Sequence, residues 1–545
     1  MKQKLYAVMA GSLALTAVLG SCGGGGGTKN SSQVQIDPNK TQVYVSVFNG
    51  GYGIDWLNEA ANRFMDKNPE VQILLDPNKD IYQSQIAPAI EAGISPSDVF
   101  ITAQPSCQDL GLKGYLEDLT DIWQADVDGN GTTVEEKMKD VELFKRVYQV
   151  GNGTWGLPHS EAMQGFIYDH SIFVNKGYLM TQADGETLTV GKDGKPGTYD
   201  DGQPTTIAEW DLMIQRMVVD GVYPFFWTGM FASDYLSSLP EALLAQYDGF
   251  DSYLVSQRYS GVYTHANGTT ETITPETGYK TIKTESKKAI ADFMHKYLVQ
   301  NTNYYHPSAK YDSVSHTDAQ ALFILGYNPT TANPQSGMLY EGCYWENEAR
   351  ATFTSLEKRG ETEYKYGTRD YRYMLLPNLP GQRGAFGDGT GSAMGVGEMG
   401  TIFMKKVSDE KKRTFGKEFI KYLMTDEVSR LYTTYACGLR PYEYDLEEED
   451  YDNMTVFTKN AFALYSDTEN VKVIRNNSLK YLSEMNHMTT EVVSRWGSTA
   501  GGRSYTNVYT AVCNVSPEDY YNGMDAFENE TYWKKIYDQY LALFQ

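Results

Sequence analysis

A short acidic segment has the spacing of a calcium-binding loop. Asp126, Asp128 and Asn130 occupy its first, third and fifth positions, with a glycine at the sixth. Oxygen side chains at alternate positions of such a turn are ligands that Ca²⁺ prefers. The twelfth position requires a bidentate glutamate but holds Lys137, although a neighbouring glutamate could replace it. The segment, like the acidic turn at residues 193–202, is predicted either as a structural calcium site or as a solvated aspartate-rich turn.

Aromatic residues are unusually abundant, with 42 Tyr, 21 Phe and 8 Trp. A neutral sugar offers an apolar face that stacks on rings and hydroxyls that bond to carboxylates or amides. Trp227, which follows a strand-like run, and Trp496 are predicted stacking rings, and packing in the core is the alternative for each. Trp155 is predicted to pack structurally.

Polar side chains follow two predicted strands where a ligand crevice would open. Asn49 and Tyr52 flank a Gly-Gly turn after the first strand, and Gln104 follows a later strand. Ligands of open α/β sheets bind beyond the carboxyl ends of the strands, so all three are predicted ligand contacts. Turn geometry and loop capping are the alternatives.

The net charge and the sequence motifs disfavour several classes of function. The formal charge of −23 disfavours nucleic acid and other polyanions and suits a neutral or cationic ligand. A Gly-x-Ser-x-Gly elbow is absent from the glycine-rich turns, and phosphate-loop and dinucleotide signatures are missing after plausible strands. Four cysteines have no zinc-site spacing and are predicted to be buried free thiols, namely Cys107, Cys343, Cys437 and Cys513.

The N-terminus has the pattern of a bacterial lipoprotein. Residues 1–21, a charged start and a short apolar run, are predicted to be a signal peptide that ends before Cys22. The thiol of Cys22 would carry a diacylglycerol, with acyl chains such as palmitate anchoring the protein to the bacterial cell membrane. Residues 22–41, rich in glycine, are predicted to be a flexible tether.

Strand and helix patterns alternate after the tether. Strands are predicted at 42–49, 71–75 and 98–102, and helices at 55–68 and 81–92. This rhythm predicts an α/β fold with a doubly wound, parallel-rich sheet. Two polar inserts, 181–206 and 259–279, interrupt a largely helical second half.

Four blocks in this order resemble the extracellular solute-binding protein family that contains maltose- and multiple-sugar-binding proteins, and they lie at residues 43–73, 97–123, 151–178 and 391–442. The resemblance implies a two-lobed, type II periplasmic-binding-protein-like fold. Lobe 1 would comprise residues 42–160 and about 378–437, and lobe 2 residues 161–377 and about 438–545, joined by crossing hinge segments. Inserts in the second lobe and about 100 residues after Pro441 depart from the family.

The resemblance also implies function and two further ligand contacts. Glu161 matches a ligand-contacting glutamate of maltose-binding relatives, with a hinge carboxylate as the alternative, and Trp345 matches their sugar-stacking tryptophan. The expected protein is a monomeric binding lipoprotein, not an enzyme and without a required cofactor, that captures a neutral oligosaccharide for an ABC permease. A secreted glycoside hydrolase and a non-transport carbohydrate-binding surface protein are the alternatives.

Overall fold

The computed structural model describes residues 35–78, 85–103, 107–326, 334–475 and 495–541. Cys22, Gln104 and the predicted signal peptide lie outside these ranges, as does most of the predicted tether. In the part of the chain that is described, no helix has both the length and the apolar character needed to cross a membrane.

The first helix illustrates how the sequence pattern determines the elements. Helix α1, Asp55–Lys67, buries the side chains at positions 56, 57, 60, 61 and 64, which recur with the 3.6-residue period of an α-helix. Asp55 in its first turn and Lys67 in its last complement the helix dipole. The predicted helix at 55–68 is therefore confirmed.

Fifteen strands are present in the described residues. They are β1 Thr41–Phe48, β2 Val71–Asn78, β3 Val99–Thr102, β4 Gln149–Val150, β5 Gly153–Thr154, β6 Leu157–Asp169, β7 Tyr223–Phe226, β8 Gly261–Thr264, β9 Thr270–Ile273, β10 Ser336–Gly342, β11 Tyr371–Met374, β12 Ser392–Met404, β13 Val471–Arg475, β14 Ser498–Ala500 and β15 Arg503–Tyr505. The three predicted early strands correspond to β1, β2 and β3.

The α-helices up to residue 466 are α1 Asp55–Lys67, α2 Ala87–Glu91, α3 Gln108–Leu112, α4 Thr120–Trp123, α5 Val141–Tyr148, α6 His170–Lys176, α7 Ile207–Val219, α8 Ala232–Tyr235, α9 Ser238–Asp248, α10 Phe250–Arg258, α11 Glu285–His295, α12 His316–Gly326, α13 Trp345–Glu348, α14 Arg350–Lys358, α15 Glu410–Leu423, α16 Asp426–Ala436, α17 Glu448–Asn453 and α18 Val456–Ser466. Three C-terminal helices follow, at Val508–Val512, Pro517–Gly523 and Glu530–Leu541. The predicted helix at 81–92 corresponds to α2, and its first four predicted residues lie outside the described residues.

A mixed nine-stranded sheet forms the centre of the molecule. Its main order is β2-β1-β3-β12-β6-β10-β7, with β11 paired to β6 and β13 paired to β12. Strands β2, β1 and β3 are mutually parallel, whereas β12 runs antiparallel to both β3 and β6. Helices flank the sheet, so the predicted α/β class is confirmed.

Two 13-residue strands connect the two halves of the sheet. The carboxyl-terminal part of β12 pairs with β3, and its amino-terminal part pairs with β13. Strand β6 pairs with β12 along its first part and with β10 and β11 along its last part. We refer to the part of the sheet that contains β1, β2 and β3 as the β1–β3 half, and to the part that contains β7 and β10 as the β7–β10 half. The division of the chain into two lobes stays a prediction.

The insert at 259–279 and the C-terminal region both pack on the β7–β10 half. The insert forms the β8–β9 hairpin and a 3-10 turn at Pro275–Thr281. Arg495 and Trp496, at the start of the C-terminal segment, both bond to the buried carboxylate of Glu241 on α9. The Lys287 ammonium donates to the Arg495 carbonyl as well. This buried polar cluster attaches the C-terminal segment to α9 and α11.

Candidate functional site

A cleft lies where the turn after β1 faces the turn after β10. The side-chain amide of Asn347 donates to the carbonyl of Gly51 across it, at 2.7 Å. A Cβ atom on Gly51 would stand 2.6 Å from the Tyr344 ring, so only glycine permits this approach. The two halves of the sheet therefore touch directly in this conformation.

Beneath this contact is a small cavity between β1, β3, β6 and β12. Its lining includes Tyr52, Trp56, His159, Glu398 and Tyr432. Glu398 lies between two register shifts of the β12–β6 pairing, and such irregularities re-aim side chains next to binding sites. The cavity measures about 20 Å³, which is room for about one water molecule. This cavity, as the described residues line it, therefore has no room for a ligand of sugar size.

Aromatic rings dominate the cleft. The ring of Tyr52 meets that of Tyr344 edge-on at 5.0 Å and lies 5.4 Å from that of Tyr432. Trp56 meets Tyr432 edge-on at 5.1 Å. Burial raises the pKa of all three tyrosines well above the ordinary value, so their hydroxyls stay protonated and can donate hydrogen bonds.

Carboxylates lie beside the rings on the β10 side. Gln320 donates to Glu341 at 3.1 Å and to Glu348 at 2.7 Å. Burial, and next the charge of Glu348, raises the pKa of Glu341 well above its ordinary value. Glu348 also approaches the imidazole of His316 at 3.2 Å. Rings, hydroxyls and carboxylates together match the two kinds of surface that a sugar presents.

Glu161 is fully buried in the crossing strand β6. Its carboxylate accepts hydrogen bonds from both Nε and Nη2 of Arg475, the latter at 2.9 Å, and from the Tyr465 hydroxyl at 2.7 Å. Its backbone amide donates to the Leu439 carbonyl at 2.9 Å. The geometry joins β6, β13 and α18 at this point. That Glu161 contacts a ligand stays a prediction, and in this conformation its carboxylate already has three donors.

The predicted stacking tryptophans lie in packed surroundings. Trp345 is completely buried, and the ring of Tyr371 meets it edge-on at 4.9 Å. Trp227 is also completely buried, against Tyr305 and beneath the Lys310 ammonium. Trp496 bonds through its indole N–H to Glu241 in the C-terminal cluster, at 2.7 Å. Their roles as sugar platforms stay predictions, but this conformation gives Trp345 and Trp227 no accessible face.

The remaining predicted contacts divide between the cleft and the surface. Tyr52 lines the cavity, as expected for a contact. Asn49 is exposed, with its backbone amide bonded to the Asn78 carbonyl at 2.7 Å, and does not line the cavity. Gln104 lies outside the described residues, one position after the cavity residue Ala103.

In the calcium-like loop, the carboxylates of Asp126 and Asp128 accept hydrogen bonds from other groups of the protein. Asp126 accepts from the amides of Asn130 and Gly131, at 3.1 and 2.8 Å. Asp128 accepts from the Lys137 ammonium at 2.6 Å, so this lysine supplies a positive charge beside the acidic loop. Among the described residues, no three His, Cys, Asp or Glu side chains are grouped to hold a metal. Calcium binding at Asp126, Asp128 and Asn130 stays a prediction.

Free thiols are observed at the four described cysteines. Cys107, Cys343 and Cys437 are buried, as predicted, and burial raises the pKa of each thiol. Cys513 is exposed, contrary to the prediction. It directly follows the five-residue helix Val508–Val512, and its Sγ lies 3.9 Å from the Lys310 ammonium.

Sequence reasoning missed Tyr344, Tyr432, Glu398 and His159. Tyr344 is the residue before Trp345, so the predicted segment borders the cleft, and in this conformation Tyr344 rather than Trp345 meets the ring of Tyr52. The turn between β10 and α13 directs these neighbours to different sides, and no pattern in the sequence indicates which one enters the cleft. Tyr432 belongs to the buried face of α16, where its spacing is that of a core residue.

Known proteins share this architecture. The sequence profile of bacterial extracellular solute-binding proteins matches residues 50–429. Among solved structures, RafE from Streptococcus pneumoniae in complex with raffinose is 16% identical, with 89% of this chain and 99% of that chain covered and a TM-score of 0.51. Maltose-bound MalE3 from T. maritima is 13% identical, with 89% and 99% covered and a TM-score of 0.51.

A third structure, Lmo0181 from Listeria monocytogenes in complex with cycloalternan, is 15% identical, with 90% of this chain and 98% of that chain covered and a TM-score of 0.51. At such identities the likeness establishes the fold alone, and the predicted type II architecture is confirmed. None of the curated proteins matches the sequence.

Proposed function

The chain belongs to the bacterial extracellular solute-binding protein family, and from this membership we propose that it captures a neutral oligosaccharide in the cleft between the two halves of its sheet. The observation that supports this most is the composition of the cleft, where tyrosine rings stand beside carboxylates and hydroxyl groups. The rings can pack on the apolar face of a neutral sugar, and the carboxylates and hydroxyls can bond to its hydroxyl groups. The net charge of −23 disfavours anionic polymers as ligands.

Ligand entry requires the cleft to open. A cavity of about 20 Å³ cannot hold a sugar ring, and the Asn347–Gly51 hydrogen bond closes the cleft above it. We therefore infer two conformations, with hinges at the crossing strands near residues 156–160 and at the return segments near Pro377 and Gly438. A ligand that binds only the closed form shifts the population towards it.

Delivery to a membrane permease completes the proposal. Cys22 would hold the protein at the outer face of the cell membrane, and the closed form would be distinguished from the empty open form by an ABC permease. The protein would act as a binder without catalytic turnover. Family membership and the extracytoplasmic location that it implies support this role; the anchor and the permease contact are proposals.

The test is a thermal-shift screen with maltose, raffinose and xylotriose, followed by calorimetric titration. A ligand at 100 times its Kd stabilises the folded state by about 2.7 kcal/mol, so binding is readily seen. Small-angle scattering with and without the best binder should show a smaller radius of gyration in the complex. An unchanged radius would contradict the hinge, and reducing sugar released from the ligand would instead support a hydrolase.

A further inference from the structure

Arg440 is an unusual cation because it is completely buried. Its Nη1 lies 3.1 Å from His159 Nδ1, and its Nη2 donates to the Leu423 carbonyl at 3.0 Å. Its electrostatic neighbours in the described part of the chain are tyrosines rather than carboxylates. Burial of an arginine without a carboxylate partner costs free energy, which points to a role beyond packing.

The contact with Arg440 determines which nitrogen of His159 carries the proton. A guanidinium can only donate hydrogen bonds, so Nδ1 of His159 must accept. Burial, and then the nearby charge of Arg440, lowers the pKa of His159 well below its ordinary value, and the ring is therefore neutral. A neutral ring that accepts at Nδ1 carries its hydrogen on Nε2.

The ring of His159 is held firmly at the floor of the cleft. It stacks on Trp56 at 5.0 Å with an interplanar angle of 28°, and it meets Tyr432 edge-on at 5.0 Å. His159 and Tyr432 both line the cavity. Within the described ranges the His159 ring makes a hydrogen bond through Nδ1 to Arg440 and has no protein partner at Nε2. A donor left without an acceptor costs free energy, and a ligand oxygen would accept from it.

We propose that His159 contacts the ligand by donating its Nε2–H to a sugar oxygen, and that Arg440 is the positioning residue that fixes this tautomer. The inference rests on the proposed function, since it assumes a ligand in this cleft. Glu398 lines the same cavity and accepts hydrogen bonds when ionised. A hydroxyl group can accept from His159 and donate to Glu398, whereas an ammonium group cannot accept and a carboxylate cannot donate.

The tautomer can be tested without any ligand. Long-range ¹H–¹⁵N spectra of protein labelled with ¹⁵N-histidine should show His159 protonated at Nε2 only, with the signals assigned by their loss in His159→Gln. In Arg440→Met the Nδ1 acceptor loses its donor, so a mixture of tautomers is expected. A wild-type ring protonated at Nδ1, or identical spectra in Arg440→Met, would overturn the role of Arg440.

The contact between His159 and the ligand is tested by His159→Gln and His159→Asn, which differ in side-chain length. Glutamine places an amide N–H near the position of Nε2, whereas asparagine ends near that of Nδ1. Titration with the best binder among maltose, raffinose and xylotriose should show at most about a threefold loss of affinity in His159→Gln and about a tenfold loss in His159→Asn. Equal affinities in His159→Asn and the wild type would overturn the contact.

Two further comparisons separate positioning from packing. His306 is a second buried histidine, on the β7–β10 half, and its Nδ1 accepts from the Ser308 amide at 3.2 Å; His306→Gln should leave affinity unchanged. Arg440→Met should weaken binding several-fold in the wild type but not in the His159→Gln background, because the glutamine amide does not depend on Arg440. Equal losses in both backgrounds would instead indicate a packing effect.

Failure of the proposed sugar binding can be distinguished from failure of the proposed role of Arg440. If none of the three sugars binds while the spectra show the Nε2 tautomer, the sugar assignment and the His159 contact fail, whereas the control of the tautomer by Arg440 stands.

Discussion

The side-chain amide of Asn347 donates a hydrogen bond to the carbonyl of Gly51 at 2.7 Å and so joins the two halves of the sheet across the cleft. Tyr344 packs on the same glycine, and the Glu348 carboxyl is also close to it. The closed conformation thus has direct contacts of its own, before any ligand adds to them. A ligand that binds the closed form more tightly than the open form then stabilises the closed form further.

Replacement of Asn347 by alanine should favour the open form. A hydrogen bond of this kind contributes about 1 kcal/mol, so the affinity for a ligand that selects the closed form should fall about fivefold. Scattering of the free variant should show a larger radius of gyration than the wild type. Asn453→Ala, which removes a similar bond to the Glu449 carbonyl on the surface, is the control and should change neither quantity.

Tyr344→Ala and Trp345→Ala should differ in their effect on binding. Tyr344 borders the cleft, so its removal should weaken binding by at least about tenfold, and because its ring is nearly buried the variant should also lose stability. Trp345 is completely buried among rings, so its truncation should lower the free energy of unfolding by about 3–5 kcal/mol. Urea unfolding and calorimetric titration of both variants distinguish the cases. A Trp345→Ala protein of normal stability that binds weakly would establish the predicted sugar platform.

The sequence allowed the fold to be predicted because local pattern and tertiary role agree there. The periodicity of α1 and the β-branched run of β1 gave their bounds to within one residue. The cleft was predicted less completely, since only Tyr52 of its lining was identified among the described residues. His159 and Tyr432 come from β6 and α16, distant in sequence, and the parts of those elements that line the cleft read as core.

Tyr344 and Trp345 show what a match to family residues cannot predict. Both rings belong to the segment that the family resemblance identified, and tryptophan offers the larger stacking surface. The short helix α13 begins at Trp345, and this residue packs against Phe323, Phe353 and Tyr371. Phe323 and Tyr371 lie more than 20 residues away in the sequence, so a residue-by-residue match could not detect that the core already encloses this tryptophan.

Cys22→Ser should release the protein from the membrane without altering its binding. The predicted anchor is the thiol of this cysteine, and the predicted tether separates it from the folded part. Fractionation of cells should move the variant from the membrane to the soluble extracytoplasmic fraction, with unchanged ligand affinity. Retention in the membrane fraction would contradict the lipoprotein assignment.

Glu161→Gln should destabilise the protein. The substitution preserves the shape of the side chain but leaves the buried guanidinium of Arg475 without its counter-charge. Removal of one partner from a buried pair costs about 3–5 kcal/mol, which urea unfolding would measure. Asp121→Asn, which breaks the more exposed pair with Lys417, should cost about 1 kcal/mol or less. Equal stability of Glu161→Gln and the wild type would show that the pair contributes nothing net.

Glu346 should make the stability of the protein depend on pH. It is completely buried, and this burial raises its pKa to about 7 against the opposing effect of hydrogen bonds with Thr455 and the Gly367 backbone. Because the unfolded pKa is the ordinary 4.5, the folded state binds more protons between pH 4.5 and 7. The free energy of unfolding therefore falls as the pH rises through this window, and the effect is complete above the folded pKa.

Comparison with Glu346→Gln isolates this contribution, since every other titrating group is shared. Between pH 5 and 8 the wild type should lose about 2–3 kcal/mol of unfolding free energy relative to the variant. The difference should arise below pH 7 and then level off, because both states of the wild type are ionised at higher pH. Urea unfolding at pH 5, 6, 7 and 8 measures it. Parallel pH profiles for the two proteins would contradict a raised pKa of Glu346 in the folded state.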